Sequence, residues 1–318
     1  MMRIDILTLD GVFDSGLSAL LDVFGTANEL AVAGAPLRVR AIGVRRQVRT
    51  DRGLRVPVYP ADDRRAPDVL VAPALGTKTP QALQAALKRR DVRDAVSLLR
   101  ERGAGGTLLA AACTGTFVLA ASGVLDGRKA TTTWWLAPLF RQLYPQVHLD
   151  ESRMLAPEGR VVTAGAALAH LDLALWLLRQ HSPAAASVVA RYLVIDSRPS
   201  QSSYVIADHL AHADPLIERF EQWARARLAK GFSLSEAARE VGASERTLAR
   251  RLHRVLGKTP LSYFQDLRVQ RAVHRLQTSD ASIDRIAGEV GYADGVTLRA
   301  LLRRKLGRGV RELRRRDP

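Results

Sequence analysis

Hydrophobic periodicity changes once along this chain of 318 residues, and that change most constrains how the chain can fold. Short apolar runs alternate with helical patterns as far as about residue 182, and only helix and turn patterns follow. The alternating part predicts a parallel β-sheet covered by helices on both faces. The later part predicts an all-α unit, so the two parts belong to different fold classes.

The predicted elements place the boundary between the two parts. Strands are expected at residues 3–9, 37–44, 48–58, 68–72, 107–112 and 161–163, and helices at 16–30, 80–102, 115–122, 168–180 and 184–195. A polar, proline-containing stretch begins at residue 196 and indicates a linker. We therefore predict an α/β domain over 1–195, a linker over 196–210 and an all-α domain over 211–318.

Positive charge is concentrated toward the C-terminal end. The chain has a formal net charge of +16, of which +10 falls on residues 211–318, with 23 basic and 13 acidic residues. Such asymmetry favours a polyanion partner, nucleic acid above all. A generally arginine-rich composition is the alternative explanation, because arginine outnumbers lysine throughout.

Several classes of protein are excluded by what the sequence lacks. No run of about 18 apolar residues could cross a membrane, and the first residues lack the apolar core of a signal peptide. The single cysteine, Cys113, excludes an internal disulfide framework and a cysteine-cluster metal site. We expect a cytoplasmic protein with no membrane partner, no bound metal and no cofactor.

The all-α part contains two similar helix–turn–helix patterns. In the first, Ser233 caps a helix and Ser244 caps the following one over 245–256; in the second, Ser282 caps a helix over 283–290 and another follows over 296–306. A helix over 260–277 joins the two patterns. Both second helices carry arginines on the outward face, which favours DNA binding over an all-α domain with solvated arginines.

Residues 232–313 resemble the DNA-binding domain of the AraC/XylS family of transcription regulators. The resemblance is carried by LSEAAREVGASERTLARRLHRVLGKTP and IDRIAGEVGYADGVTLRALLRRKLG. The chain departs from the family pattern at Val296, Leu298 and Gly309-Val310, where the family usually has Ser, Phe and Ser-Pro. The resemblance implies that each second helix enters a major groove of duplex DNA, in two grooves ~34 Å apart.

Positions within these helices imply two kinds of DNA contact. Base reading is implied for Arg246, Arg250, Thr297 and Arg299. Phosphate contacts, which fix position without reading sequence, are implied for Ser244, Arg254, Arg303 and Arg304. The full set of expected DNA-binding residues is Ser244, Arg246, Thr247, Arg250, Arg254, Thr297, Arg299, Arg303 and Arg304.

Cys113 lies between a predicted strand, 107–112, and a predicted helix, 115–122. Its small neighbours permit the sharp turn of a nucleophile elbow, here A-C-T-G. The positive end of the helix dipole is expected to favour the thiolate. A catalytic cysteine also needs a nearby base, and a small buried cysteine with no activity is the alternative.

Residues 3–195 resemble the PfpI-protease and class I glutamine-amidotransferase-like superfamily, as found in GlxA-type regulators of the AraC/XylS family. The matching segments are LLDVFGTANELA, DVLVAPALG, LLAAACTGTFVLAASGVLDGRKATTTWW and AGAALAHLDLALWLL. The resemblance implies a flavodoxin-like, doubly wound parallel sheet. Active members carry a His where this chain has Thr133, and a Glu in the loop where it offers only Asp10 and Asp14.

The missing His indicates a retired active site that persists as a ligand pocket. Its expected lining is Leu75, Gly76, Cys113, Thr114, Thr133 and Trp134. We therefore expect no enzyme but a one-component transcription regulator, an activator or a repressor, that senses a small-molecule effector in the first domain and binds DNA through the second. A homodimer and a contact with RNA polymerase are further expectations. The apolar helical surface of residues 17–30 is either the dimer interface or part of the core. The alternative function is a cysteine hydrolase or amidase with a basic accessory domain.

Overall fold

The computed structural model describes residues 1–31, 34, 36–61, 66–198, 200–201, 204 and 214–314. The chain forms two compact units, Met1–Gln201 (the first unit) and Ser202–Pro318 (the second unit). Part of the predicted linker, 196–210, lies outside the described residues. Its residues 198, 200 and 201 bond to the first unit. No helix in the described part of the chain is long and apolar enough to cross a membrane.

A seven-stranded sheet organises the described part of the first unit. The strands are β1 (Met2–Leu7), β2 (Leu37–Gly43), β3 (Gln47–Arg49), β4 (Arg55–Pro57), β5 (Tyr59–Pro60), β6 (Val69–Ala72), β7 (Leu108–Ala112), β8 (Lys129–Ala130), β9 (His148–Leu149), β10 (Leu155–Glu158) and β11 (Val161–Ala164). The order is β10-β11-β7-β6-β1-β2-β5, and every neighbouring pair is parallel except β10–β11. Strands β3–β4 and β8–β9 form two small separate sheets.

Helices cover both faces of the sheet. They are α1 (Asp14–Glu29), α2 (Pro80–Leu87), α3 (Arg90–Ala104), α4 (Gly115–Ala121), α5 (Ala137–Leu143), α6 (Ala169–His181) and α7 (Pro183–Tyr192). Along β6, Val69 and Val71 pack toward α1, α6 and α7, whereas Leu70 and Ala72 pack toward α2–α5. Both faces of the strand are therefore buried, as parallel sheets require. The predicted doubly wound sheet is confirmed.

Two sequence-based expectations for the first unit are wrong. Residues 48–58 form the antiparallel pair β3–β4 instead of one strand, and residues 80–102 form two helices because the chain is extended at Arg89. For residues 17–30 the structure decides between the two alternatives of dimer surface and core. Leu17, Leu20 and Phe24 are buried against the sheet, so this apolar stripe belongs to the core, and only Leu21 is 38% exposed.

The second unit is helical throughout its described residues. Its helices are α8 (Pro215–Arg225), α9 (Leu234–Glu240), α10 (Glu245–Leu256), α11 (Pro260–Thr278), α12 (Ile283–Glu289), α13 (Gly295–Leu306) and α14 (Val310–Arg314). Helices α9–α10 and α12–α13 are the two predicted helix–turn–helix motifs, and α11 joins them. Helix α8, which the sequence did not single out, packs against α9, α10 and α11.

Candidate ligand site and nucleic-acid interface

Cys113 stands at a sharp turn between β7 and α4. Its φ is +53°, a left-handed conformation that costs a residue with a side chain on the order of 1–3 kcal/mol. Its amide donates to the carbonyl of Ala164 at 3.0 Å. A Cβ on Gly115 would lie 2.2 Å from the carbonyl oxygen of Ala72, so only glycine permits this close approach of helix and strand. The predicted elbow turn is confirmed.

The thiol of Cys113 lies in a closed, uncharged environment. The residue is 4% exposed, and burial raises the pKa of its thiol to about 11. A backbone hydrogen bond at Thr114 and the hydroxyls of Thr133 and Thr114, which face the thiol, lower that pKa but do not offset burial. The expected thiolate is therefore wrong, because desolvation outweighs the effect of the short helix α4.

No base is among the described groups that set the pKa of the thiol. The ring of His170 is fully buried, its Nε2 accepts from the Ala74 amide at 3.1 Å, and its Nδ1 donates to the Ala167 carbonyl at 2.5 Å. Burial lowers the pKa of His170 to about 4, which keeps the ring neutral. His170 is thus a structural residue that holds the loop after β6.

The two carboxylates in the loop after β1 are also bonded elsewhere. Asp14 accepts hydrogen bonds from the Thr50 hydroxyl and the Arg52 amide. Asp10 accepts one from the Arg49 amide. Both therefore support the β3–β4 segment, and neither occupies the role of the Glu that active relatives carry.

The structure brings most of the expected lining residues together around the elbow. The Thr114 hydroxyl donates to the Leu75 carbonyl, and the Thr132 hydroxyl donates to the Cys113 carbonyl, each at 2.7 Å. Gly76 is tied instead to the loop after β1, through its amide and the Gly11 carbonyl at 2.7 Å. Trp134 is buried edge-on against Trp135, with ring centroids 5.4 Å apart. Its face is therefore less open to a stacked ligand than expected.

Two hydroxyls in the elbow region lack an oxygen or nitrogen partner. Thr133 Oγ1 and Thr116 Oγ1 are buried and make no hydrogen bond to a nitrogen or oxygen of any residue that the structure describes, and Thr133 Oγ1 faces only the Cys113 thiol. Two grooves of about 960 and 640 Å³ lie elsewhere on the first unit, one beside the end of β2 and one beside the start of β7. The elbow region thus holds unmet hydrogen-bonding capacity.

Gln201 is a site residue that the sequence analysis missed. It is 1% exposed, its Oε1 accepts from the Ala166 amide at 2.9 Å, and its Nε2 donates to the Thr132 carbonyl at 2.9 Å. Thr132 in turn bonds to Cys113. Gln201 stands in a polar stretch typical of a linker, so no local signal reveals its burial. Gln201 is the last residue of the first unit, so these bonds join that end of the unit to the elbow.

The first helix–turn–helix motif forms as the sequence predicts. Ser233 Oγ accepts from the Glu236 amide, and Ser244 Oγ accepts from the Thr247 amide at 3.2 Å. Gly242 takes a φ of +70° in the turn between α9 and α10. Leu248 and Leu252 are buried, which turns Arg246, Arg250 and Arg254 outward.

The second motif has the same construction with a different cap. Ser282 Oγ caps α12, and Asp294 Oδ1 caps α13 by accepting from the Thr297 amide at 2.7 Å. Leu298 and Leu302 are buried, so the leucine that stands where the family usually has Phe fills a core position. Residues Thr297, Arg299, Arg303 and Arg304 are exposed.

Two sets of arginines in the second unit differ in their ion pairs. Arg225, Arg227, Arg251, Arg275 and Arg285 each form an ion pair with a carboxylate of that unit. None of the expected DNA-binding arginines does so with any described residue; these are Arg246, Arg250, Arg254, Arg299, Arg303 and Arg304. The outward faces of α10 and α13 therefore carry uncompensated positive charge.

Comparisons with known proteins match both units. The DJ-1/PfpI family model matches residues 2–180, and a helix-turn-helix domain model matches residues 237–316. The transcriptional regulator GbdR of Pseudomonas aeruginosa is 27% identical over 210 residues, which cover 65% of this chain and 57% of GbdR. The regulator GlxA of Rhizobium meliloti is 27% identical over 236 residues, covering 69% of this chain and 68% of GlxA.

A solved structure supports the fold of the first unit. An AraC family transcriptional regulator from Pseudomonas putida superposes with a TM-score of 0.52 and 21% identity, covering 61% of this chain and 100% of that one. The matches follow the expected order, α/β unit first and helix-turn-helix domain second. The chain belongs to the DJ-1/PfpI family and carries a helix-turn-helix domain behind the family's α/β unit.

Proposed function

We propose that this protein is a sequence-specific DNA-binding transcription regulator. The observation that carries the proposal is the set of unpaired arginines on the outward faces of α10 and α13. Exposed arginines without a carboxylate partner remain available to DNA. A DNA groove offers them both phosphate oxygens and the edges of guanine bases. The GbdR and GlxA relatives, which are named transcriptional regulators, point the same way.

The two recognition helices have different base-reading potential. Arg246 and Arg250 lie one turn apart on α10 and can each donate two hydrogen bonds to guanine O6 and N7. On α13, Thr297 and Arg299 are both exposed, and Val296, 69% exposed, offers an apolar contact for a thymine methyl. Ser244, Thr247, Arg254, Arg303 and Arg304 hold the phosphates. Sequence preference is therefore concentrated in the first motif.

The first unit senses a small molecule beside Cys113. The unpaired hydroxyls of Thr133 and Thr116 support this, because an unsatisfied buried hydroxyl costs on the order of 1–3 kcal/mol that a polar ligand atom can recover. Entry requires a surrounding loop to move, since Cys113 is closed off from solvent. Gln201 donates to the Thr132 carbonyl, so a movement of Thr132 would also move Gln201, the last residue before the second unit.

The same features argue against turnover at Cys113. A protonated thiol without a base is a poor nucleophile at neutral pH. We therefore assign the first unit a binding role rather than a catalytic one. A homodimer, contact with RNA polymerase, activation of transcription and a cytoplasmic location belong to the same proposal; the dimer surface would lie outside the buried stripe of α1.

The experiment is a binding-site selection on random duplex DNA with the full chain, followed by affinity measurements on the enriched site. Arg246→Ala and Arg250→Ala should each weaken binding by about 1–3 kcal/mol and relax base choice locally. Arg254→Ala should weaken binding on all sequences and reduce the salt slope of log K by about 1. Arg275→Ala is the matched control, because Arg275 is already paired with Glu289.

Two results would contradict the proposal. Failure to enrich any sequence would remove sequence-specific binding, and equal losses on random and selected DNA would reduce the arginines to phosphate contacts. Consumption of an amide substrate by wild type, abolished by Cys113→Ser, would replace the sensor role with the hydrolase alternative.

A further inference from the structure

Asp266, on the helix that joins the two motifs, bonds to both of them. Its Oδ2 accepts from Lys258 Nζ at 2.9 Å, and Lys258 directly follows the first motif. Its Oδ1 accepts from Lys305 on α13, the recognition helix of the second motif. The carboxylate is 20% exposed and both lysines are about a third exposed or less, so the three groups are partly shielded from water. One side chain thus links the ends of the two recognition helices.

Arg268, two residues further along α11, makes a second link. Its Nε donates to the Leu228 carbonyl at 2.9 Å and its Nη2 to the Lys230 carbonyl at 3.1 Å, both in the segment that precedes the first motif. The same guanidinium lies over the ring of Tyr292, 5.2 Å from its centroid, in the turn of the second motif. The cation therefore holds the segment before α9 against the turn before α13.

The turn of the second motif is built to admit this contact. A Cβ on Gly291 would lie 2.3 Å from Arg268 Nη2 and 2.4 Å from the Leu228 carbonyl oxygen. Gly291 also has a φ of +83°. Backbone from the first motif's leading segment and backbone from the second motif's turn thus meet directly around Arg268.

We infer that Asp266 and Arg268 are positioning residues that fix the distance and rotation between the two recognition helices, and so make the protein select DNA sites by the spacing of their two half-sites. The inference rests on the proposed DNA-binding function. Each motif reads a groove on one face of the duplex, and grooves recur every ~34–36 Å or 10–10.5 base pairs. One added base pair therefore shifts a half-site by roughly 3.4 Å and turns it by roughly 35°. Two motifs that are linked through both Asp266 and Arg268 cannot shift and rotate to follow the moved half-site. Motifs that have lost one of these links can.

The test compares affinities for the selected site and for the same site with one base pair inserted or deleted between its half-sites. Wild type should lose about tenfold or more in affinity on either altered site, which is one factor of ten in the binding constant. Asp266→Ala and Arg268→Met should narrow that penalty to about threefold or less, through better binding to the altered sites relative to the selected one. The ratio is the readout, because a merely structural defect weakens all three sites equally.

Matched variants show whether a changed spacing penalty comes from the Asp266 and Arg268 links or from a general loss of stability. Arg275→Met also removes a paired arginine from α11, but among the described residues Arg275 pairs with Glu289 of the second motif and with no carboxylate of the first, so the variant should keep the wild-type ratio. Lys305→Met breaks a single arm of the Asp266 link and serves if either main variant fails to fold. Its ratio should fall between those of wild type and Asp266→Ala.

The outcomes test the positioning role of Asp266 and Arg268 separately from the proposed DNA-binding function. An unchanged spacing penalty in Asp266→Ala, Arg268→Met and Lys305→Met overturns the positioning role and leaves DNA binding intact. A wild-type protein that binds the selected site but tolerates either spacing also overturns it. A wild-type protein that selects no sequence at all overturns the proposed function itself.

Discussion

The elbow around Cys113 and the outward faces of α10 and α13 use polar groups in opposite ways. At the elbow the polar side chains are buried, uncharged and bonded mostly to backbone, as with Thr114, Thr132 and His170. On the recognition helices the arginines are exposed, charged and unpaired within the described residues. The first arrangement holds a backbone geometry in place, whereas the second offers charge to a partner.

Because of this difference, substitutions at the elbow should change folding stability, whereas substitutions on the recognition helices should change binding. The elbow places a left-handed cysteine and two unpaired hydroxyls inside a close-packed sheet, so small changes of volume or protonation there are felt in folding stability. The recognition helices lose little when an exposed arginine is changed, because water solvates the vacated position. Changes there should appear in binding and not in stability.

The largest expected effect comes from adding one methyl group at the elbow. Gly115→Ala would place a Cβ 2.2 Å from the Ala72 carbonyl oxygen, which is backbone and cannot move aside. We expect a loss of about 3 kcal/mol or more of folding stability, the upper end for overpacking. Urea unfolding followed by tryptophan fluorescence measures it, since three of the four tryptophans lie in residues 1–201.

Gly25→Ala is the matched control for that change. Gly25 lies within α1, and a Cβ there would meet nothing within 4 Å. Replacing glycine by alanine inside a helix should stabilise the first unit by about 0.5–1 kcal/mol. Equal effects of the two substitutions would show that the close packing of α4 on β6 does not govern the elbow.

The reactivity of Cys113 tests whether the elbow is closed to charge. Raising the thiol pKa from 9.0 to about 11 lowers the thiolate fraction at neutral pH about a hundredfold. Native protein should therefore react with iodoacetamide at least a hundredfold more slowly than protein unfolded in urea, and the rate should climb about tenfold per pH unit from pH 7 toward 10. Mass spectrometry reads this directly, because Cys113 is the single cysteine. Fast alkylation at pH 7 that levels off below pH 8 would mean an activated thiolate and revive the hydrolase alternative.

Features with a local cause could be predicted from the sequence. The caps at Ser233, Ser244 and Ser282 formed because their hydroxyls bond amides three residues away. The elbow followed from a buried strand, a run of small residues and a helix, all adjacent in sequence. The β3–β4 turn had a local signal too, in Asp51-Arg52-Gly53, which the prediction of one long strand passed over.

Features with a distant cause could not be predicted. The break between α2 and α3 is stabilised by Arg89, whose guanidinium bonds Asp91 nearby and the Asp10 carbonyl 79 residues away. Gln201 is buried by loops that lie up to 70 residues earlier. Cys113 was assigned a thiolate from its place beside a helix start, but burial by the whole unit decides its pKa. Composition and periodicity contain none of these long-range terms.

The smallest of the three expected effects is a loss of folding stability of the first unit at low pH, caused by His170. Burial lowers the pKa of His170 from 6.5 to about 4, so between these values the unfolded chain binds a proton that the folded chain refuses. Stability is therefore present in full above pH 6.5 and is lost as the pH falls toward 4. From pH 7.5 to pH 5.0 the first unit should lose about 2 kcal/mol. Asp172, whose buried carboxyl has a raised pKa despite Arg198, acts in the opposite sense and offsets part of the loss.

Urea unfolding at pH 7.5, 6.5, 5.5 and 5.0 measures this dependence, and His170→Gln is the variant that isolates it. Glutamine keeps one acceptor and one donor for the Ala74 amide and the Ala167 carbonyl but has no proton to gain in this range. The variant should be less stable at pH 7.5, because its amide fits the ring's place imperfectly, yet its stability should stay nearly flat to pH 5.0. A wild-type curve as flat as that of the variant would mean that His170 accepts its proton in the folded state, and that the elbow region is open to water after all.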